Sequence, residues 1–433
     1  MDEGSKDTGS VVAKPSAREY TRREVLKGAG VSALALLLSG LPPLRGGLFA
    51  GTADAPEVSR VNLGFIPLTD CAPLVTGYEK KIFKKYGLEV SLSKEASWAN
   101  IRDKVSLGAL DGAHMLAGMP IAATLGIGSL PKEMVTAFSM DLNGNAITLS
   151  NAFWERGVRD LAGLKKVLDE DRKKGKVYTF AMVFPVSTHN YYLRYWLASG
   201  GIDPDQDIRL IVIPPPQMVA NLRAGNVDGY CVGEPWNERA VHDGVGWTAV
   251  TDYEIWKNNP EKVFGVTREW AEKHPKTHKA LIMAMIEANL WMDHPENRMQ
   301  VVKWISQRKY VNAPEVVVAK SMTGTYDYGH GKIEKLPDFN VFSRYEATYP
   351  WRSHAVWFMT QMVRWGQLKP LSREEYRDAA KRIYQVDLYR EAAKALGVPV
   401  PKEEYKKEVL FDGIEFDPAD PDGYVKKFKI RRG

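Results

Sequence analysis

Cysteine is almost missing from this chain of 433 residues: only Cys71 and Cys231 occur. A disulfide framework and CxxC metal spacings are excluded, and two buried, unpaired thiols are the expectation. Long hydrophobic runs are missing too. The apolar stretch from about Ala29 to Leu41 falls short of the roughly 20 residues that span a bilayer. Charge of one sign is scarce in excess: Lys plus Arg exceed Asp plus Glu by 59 − 53 = 6, with no long basic run, which argues against a nucleic-acid partner. Nucleophile, zinc and nucleotide signatures (GxSxG, HExxH, GxxxxGK[ST]) are absent, so an enzyme is a poor reading. What remains is a globular composition, 44% hydrophobic and 26% charged, with length for two or three lobes.

The first fifty-odd residues differ from the rest. Thr21-Arg22-Arg23-Glu24-Val25-Leu26-Lys27 precedes the short apolar stretch, the pattern of a twin-arginine export signal with Val25 in the usual place of Phe. An N-terminal membrane anchor is the alternative. Ala53-Asp54-Ala55 has the small-x-small form of a cleavage site, although Pro56 follows it directly, and cleavage after Ala50 stays open. No cysteine ends the apolar stretch, so no lipid anchor is expected. Residues 1–55 are therefore assigned to the signal, and the mature chain to the periplasm or another extracytoplasmic space.

From Arg60 the pattern is α/β. Val61–Ile66 alternates as a strand, Leu74–Tyr86 reads as a helix ended by Gly87, Leu88–Leu92 as the next strand, and Trp98–Leu107 as a helix capped by Ser97 and stopped by Gly108. About 117 residues later the grammar recurs: Gly108-Ala109-Leu110-Asp111-Gly112 corresponds to Gly225-Asn226-Val227-Asp228-Gly229. Each opens a short buried strand, 113–117 and 230–233, and in the second copy the strand Ile208–Ile213 and a helix after Pro214-Pro215-Pro216 precede it. Two α/β lobes follow, 56–150 with 255–433 and 151–254. From about Asn258 onward the chain reads as largely helical, over Ala271–Met292, Val301–Tyr310, Trp351–Trp365 and two helices in Arg373–Leu396, with a tail from Tyr405 to Ile430 wrapping a surface. Ligands of open α/β sheets collect at the carboxyl ends of strands, beside helix N-termini. Here those ends are Pro67–Pro73, Glu95–Asn100, Pro185–Asn190 and Pro214–Gln217, and an anion suits them.

Four segments carry a family resemblance: Gly64-Phe65-Ile66-Pro67-Leu68-Thr69-Asp70-Cys71-Ala72-Pro73-Leu74, Lys94-Glu95-Ala96-Ser97-Trp98, Asp111-Gly112-Ala113-His114-Met115-Leu116 and Gly233-Glu234-Pro235-Trp236-Asn237. Together with LYREAAKALGVPVP and LFDGIEFDPADPDGY near the C-terminus, the chain resembles the nitrate- and bicarbonate-binding subunits of cyanobacterial-type ABC transporters. The resemblance implies a type II periplasmic binding protein, a C-clamp of two α/β lobes with a helical C-terminal extension. It also implies binding without catalysis, a monomer, and ABC permease and ATPase subunits as partners.

By the same resemblance the anion contacts are Trp98, His189, Asn145 where the family commonly has Gln, and Lys262 where a bicarbonate binder resembles an acid with calcium nearby. Thr69, Asp70, Glu234 and Trp236 are further cleft candidates, and Trp236 alternatively packs between lobes. His114 and Met115, on a predicted buried strand, read as core. Nitrate is planar, monovalent and a weak acceptor, so one positive charge, a few neutral N–H donors and an apolar wall suit it. Nitrate, and with it nitrite, is the first reading and needs no cofactor or metal. Bicarbonate with calcium, or an organic anion such as a sulfonate, is the alternative.

Overall fold

The computed structural model describes residues 55–432, so the arginine pair and the apolar stretch after it lie outside the described residues. Of the first eleven strands, all but the short Leu142–Asn143 build two mixed sheets of five strands each. In chain order the eleven are β1 Arg60–Phe65, β2 Glu89–Lys94, β3 Gly112–Leu116, β4 Met134–Ser139, β5 Leu142–Asn143, β6 Asn145–Ser150, β7 Tyr178–Met182, β8 Ile208–Val212, β9 Gly229–Gly233, β10 Gly246–Thr251 and β11 Lys262–Thr267. The first sheet has the order β2-β1-β3-β11-β4 and the second β10-β6-β9-β7-β8. β1 runs parallel to β2 and β3, while β11 lies antiparallel between β3 and β4. In the second sheet β7 is parallel to β8 and β9, and β6 is antiparallel to β9 and β10. β3, β4, β7, β9 and β11 are buried at every residue, as expected of strands covered on both faces.

The chain crosses between the sheets twice, first through residues 140–144 and back through 252–261. Asn143 and Asn259 lock the two crossings together. The Asn143 N–H donates to the Asn259 carbonyl at 3.1 Å, and the Asn259 amide donates to Asn143 Oδ1 at 2.9 Å. Asn143 takes a left-handed φ of 61°, a conformation asparagine tolerates better than most residues. Tyr192 of the second lobe donates to Asn259 Oδ1 at 2.9 Å.

Several elements depart from the sequence reading. β6, assigned to the first lobe by the boundary at 150, hydrogen-bonds to β9 and β10 and so belongs to the second sheet. β11 falls in the stretch read as largely helical. Its six residues are too short a run to separate from helix by periodicity, and its partners lie more than 120 residues earlier. The helix read over Leu74–Tyr86 is two, Ala72–Glu79 and Ile82–Lys85, broken where Lys81 takes φ 60°. The helix read over Ala271–Met292 is Pro275–Met292, preceded by a short one over Arg268–Lys273. Pro275 sits in its first turn and disfavours helical backbone at His274. A helix covers Pro295–Ile305 where Val301–Tyr310 was expected.

The C-terminal part touches both lobes. Tyr384 donates its hydroxyl to the Ala117 carbonyl at 3.0 Å, beside the first sheet. On the other side Trp357 stacks among Tyr191, Tyr192 and Trp256 with ring centroids 4.8–6.4 Å apart. The tail wraps as expected: Phe428 covers the buried guanidinium of Arg364 at 3.6 Å, and Arg364 donates to the Ile430 carbonyl. No described helix is long and apolar enough to cross a membrane. Cys71 and Cys231 are both buried and free.

Candidate functional site

Two serine-capped helix N-termini open the site, one in each lobe. After β2, Ser97 caps the helix Trp98–Ser106 by accepting the Asn100 N–H, which puts Trp98 in the first turn. After β7, Ser187 caps the helix Thr188–Ser199 by accepting the Asn190 N–H at 3.0 Å, which puts His189 in the first turn. Both side chains are buried in the first turns of their helices, where free N–H groups and dipoles favour negative charge.

Lys262 opens β11 and is completely buried. Its Nζ lies 2.5 Å from Asp70 Oδ2, contacts Glu261 Oε1, and sits 5.7 Å from the Trp98 ring centre. Burial works against the ammonium charge, but Asp70 and then Glu261 outweigh it and hold the pKa above the ordinary lysine value. Asp70 also meets His114 Nε2 at 2.9 Å. Burial works against its charge in turn, and Lys262 and His114 overcome that and keep it well below the usual carboxylate range. His114 Nδ1 accepts the Ile66 N–H at 3.3 Å, so the ring proton is on Nε2, aimed at Asp70.

His189 completes the ring from the second lobe, with Nε2 3.3 Å from Glu261 Oε1. Burial first, then the charge of Lys262, pushes His189 well below its ordinary value, so the ring is neutral. Asn145 opens β6, fully buried, and neither end of its amide has a hydrogen-bond partner; the Trp98 indole N–H and both His189 ring nitrogens lack one too. Leaving a buried polar group unmatched costs about 1–3 kcal/mol. Gly233 brings Asn145 and Asp70 together: a Cβ there would stand 3.2 Å from Asn145 Oδ1, 3.3 Å from Leu68 Cδ2 and 3.5 Å from Asp70 Oδ2. Its φ is not left-handed, so the glycine serves space rather than backbone conformation.

The structure thus gathers Trp98, Asn145, His189, Lys262 and Asp70 around one buried ammonium. It places Thr69, Glu234 and Trp236 differently, along the seam itself. The Thr69 N–H and hydroxyl donate to the Glu234 carbonyl at 2.8 and 3.3 Å, and the Trp236 indole donates to the Pro67 carbonyl at 3.0 Å. The Glu234 carboxyl turns away to Tyr326 and the Glu238 N–H. A pocket of about 340 Å³ borders this seam at Pro67 and Trp236 and is lined further by Lys94, Pro216, Arg223 and Arg239 among others. Gly118 follows β3 at a close approach of the lobes, for a Cβ there would overlap the Val186 carbonyl oxygen.

Residues beyond the sequence reading also belong to the site. His114, read as core, is buried but engaged with Asp70 and edge-on to Trp98 at 5.2 Å. Its partner lies 44 positions earlier, so no local pattern could expose the pairing. Glu261, Asp141 and Asp252 line the two crossings, all buried. Asp141 Oδ1 accepts the Lys262 N–H at 3.0 Å. Burial, reinforced by Asp70, pushes Asp141 well above the carboxylate range, and burial with Glu261 does the same for Asp252. Among the described residues no group of three or more His, Cys, Asp or Glu side chains has the arrangement of a metal site.

A family model described as NMT1-like matches residues 54–306. The nitrate/nitrite-binding protein NrtA of Synechococcus elongatus is 38% identical over 441 residues, covering 95% of this chain and 99% of that one. The nitrate import ATP-binding protein NrtC of Synechocystis is 46% identical over 379 residues; the match takes 87% of this chain and 56% of NrtC, so the chain spans only about half of that relative. The crystal structure of the periplasmic nitrate-binding protein NrtA from Synechocystis superposes with a TM-score of 0.83 at 38% identity, over 87% of this chain and all of that one. With the family model matched over more than half its length and an NrtA covered nearly end to end, this chain belongs to the NMT1-like family, alongside the NrtA nitrate/nitrite-binding proteins, and has their two-lobed periplasmic-binding-protein fold.

Proposed function

We propose that this chain captures nitrate, and with it nitrite, between its lobes as the solute-binding subunit of an ABC importer. The permease and ATPase subunits of that importer are its partners, and the chain performs no catalysis of its own. One observation carries the reading: a fully buried lysine ammonium stands among neutral N–H donors contributed by both lobes, Trp98 from one and Asn145 and His189 from the other. A planar monovalent anion matches this set. It needs one counter-charge and in-plane donors, and the face of Trp98 supplies an apolar wall. Because the donors come from both lobes, an anion that satisfies all of them favours the closed arrangement, which is how a clamp signals occupancy to a membrane partner.

Capture of this kind belongs outside the cytoplasmic membrane, and Thr21–Lys27 supports twin-arginine export. Replacing Arg22 and Arg23 by lysine pairs should leave the precursor in the cytoplasm; undiminished export would remove that route. Calorimetric titration with nitrate, nitrite and bicarbonate, with and without calcium, tests the ligand. One nitrate per chain is the expected stoichiometry. Saturation by bicarbonate only when calcium is present, with indifference to nitrate, would overturn the choice of anion.

A further inference from the structure

Asp70 and Glu261 share the single ammonium group of Lys262, and none of the three has appreciable contact with water. If both carboxylates are ionised, this trio has a net charge of −1. Neither neighbouring ring corrects it, since burial pushes His114 and His189 below their ordinary values and keeps both neutral. An anion arriving beside Trp98, Asn145 and His189 would then bring a second uncompensated negative charge into a place with little solvent to screen it, which is strongly unfavourable.

The two carboxyls are not equivalent. Asp70 has two partners that favour its ionised form, Lys262 at 2.5 Å and the Nε2–H of His114 at 2.9 Å. Glu261 has one cation, Lys262, which it shares, and beside it only the neutral hydroxyl of Thr188. The remaining groups around Glu261 are neutral or acidic: His189, Thr188 and Tyr192 on the helix Thr188–Ser199, Asp70 on the turn after β1, Asp141 on the first crossing, Asp252 on the second, and Cys231 on β9. Burial accordingly pushes Glu261 up, Lys262 opposes this, and Asp70 adds to it.

We propose that the anion enters this site together with one proton, which resides on Glu261, so that Glu261 joins the binding set as a neutral carboxyl whose O–H donates to the anion. This rests on the anion-capture reading above. The balance is simple: the anion brings −1 and the proton +1, so the buried trio and its ligand keep the charge that the ligand-free trio had. Asp70 remains ionised against Lys262 and His114 throughout. The site therefore binds the elements of the acid rather than the bare anion, and affinity falls as pH rises.

Titration calorimetry of nitrate into the intact protein between pH 6 and 9, in pairs of buffers with different ionisation heats, reads the proton count directly. The expected result is uptake rising toward one proton per nitrate, with Kd weakening by up to about tenfold per pH unit where uptake is complete. Glu261→Gln should bind nitrate with no uptake and a flat pH profile. Tight nitrate binding with no proton uptake and an unchanged Kd across this range would overturn the proposal while leaving capture intact; so would uptake that survives in Glu261→Gln. No nitrate binding at any of these pH values would overturn capture and the proposal together.

Discussion

Two clusters of buried carboxyl groups lie near the junction of the lobes, and they solve the same problem in opposite ways. Around Lys262 a cation is buried with the acids, and Asp70 is held ionised by it. Around Glu234 and Glu238 no cation is enclosed. Tyr326 donates to Glu234 at 2.9 Å, the Asp327 N–H donates to Glu238 at 2.9 Å, and Lys320 reaches only to 3.6 Å from Glu238 at a partly exposed position. Burial therefore pushes Glu234 up to about 7, and burial with the Glu234 charge pushes Glu238 up to about 9. The first cluster encloses a lysine and, by the proposal above, takes an anion together with a proton; the second is balanced by protons alone and holds the seam.

Removing the lysine breaks this contrast most severely. Lys262→Met leaves Asp70 as a buried charge without its cation, which costs about 3–5 kcal/mol. Nitrate affinity should fall by two orders of magnitude or more and the melting temperature should drop, as calorimetry and thermal unfolding would record. An unaltered affinity would take Lys262 out of the site.

Asn145→Ala separates binding from stability. Its amide has no partner in the folded chain, so truncation should weaken nitrate about tenfold, near the value of one hydrogen bond, with the melting temperature unchanged or raised. A fall in stability comparable to the loss in binding would contradict that. Gly233→Ala should act similarly through space, because its new methyl would enter between Asn145 and Asp70. A several-fold loss for nitrate, steeper for a larger anion such as a sulfonate, is expected from competition titrations.

A pH-dependent effect belongs to the proton-balanced cluster. Glu234 has a folded pKa of about 7 against an ordinary value of 4.5. The folded state thus keeps a proton that the unfolded chain releases, and this group's contribution to stability, full below pH 4.5, is lost as pH rises toward 7. Other groups titrate in the same window, so the informative quantity is a difference between proteins. The melting temperature of Glu234→Gln relative to the unaltered protein should climb between pH 4.5 and pH 7. A pH-independent difference would show that Glu234 does not hold that proton.

Much of the frame was legible because it depends on neighbours in the chain. Ser97 announces its helix by capping it, and Gly108 and Gly225 end helices with left-handed φ values of 74° and 71°. The paired Asp-Gly motifs work identically in both lobes, where Asp111 and Asp228 accept the N–H of Asn62 and Thr179 on the adjoining strand. β11 was not legible, since its alternation is short and its partners distant. Neither was the division of roles among Thr69, Asp70, Glu234 and Trp236: Thr69 and Asp70 are adjacent in sequence, yet Asp70 meets the lysine while Thr69 joins Glu234 and Trp236 along the seam.

The sequence by itself determined the local grammar: where helices such as Trp98–Ser106 start, where glycine ends them, and that two lobes repeat. Those outcomes follow from hydrogen bonds and conformations within a few residues. Only the tertiary structure decided that one lysine serves two carboxylates, that His114 faces Asp70, and that both crossings between lobes line the site with acids. Charge balance in a buried place depends on every group within a few ångströms, and folding assembles those groups from positions 70, 114, 141, 189, 252 and 261.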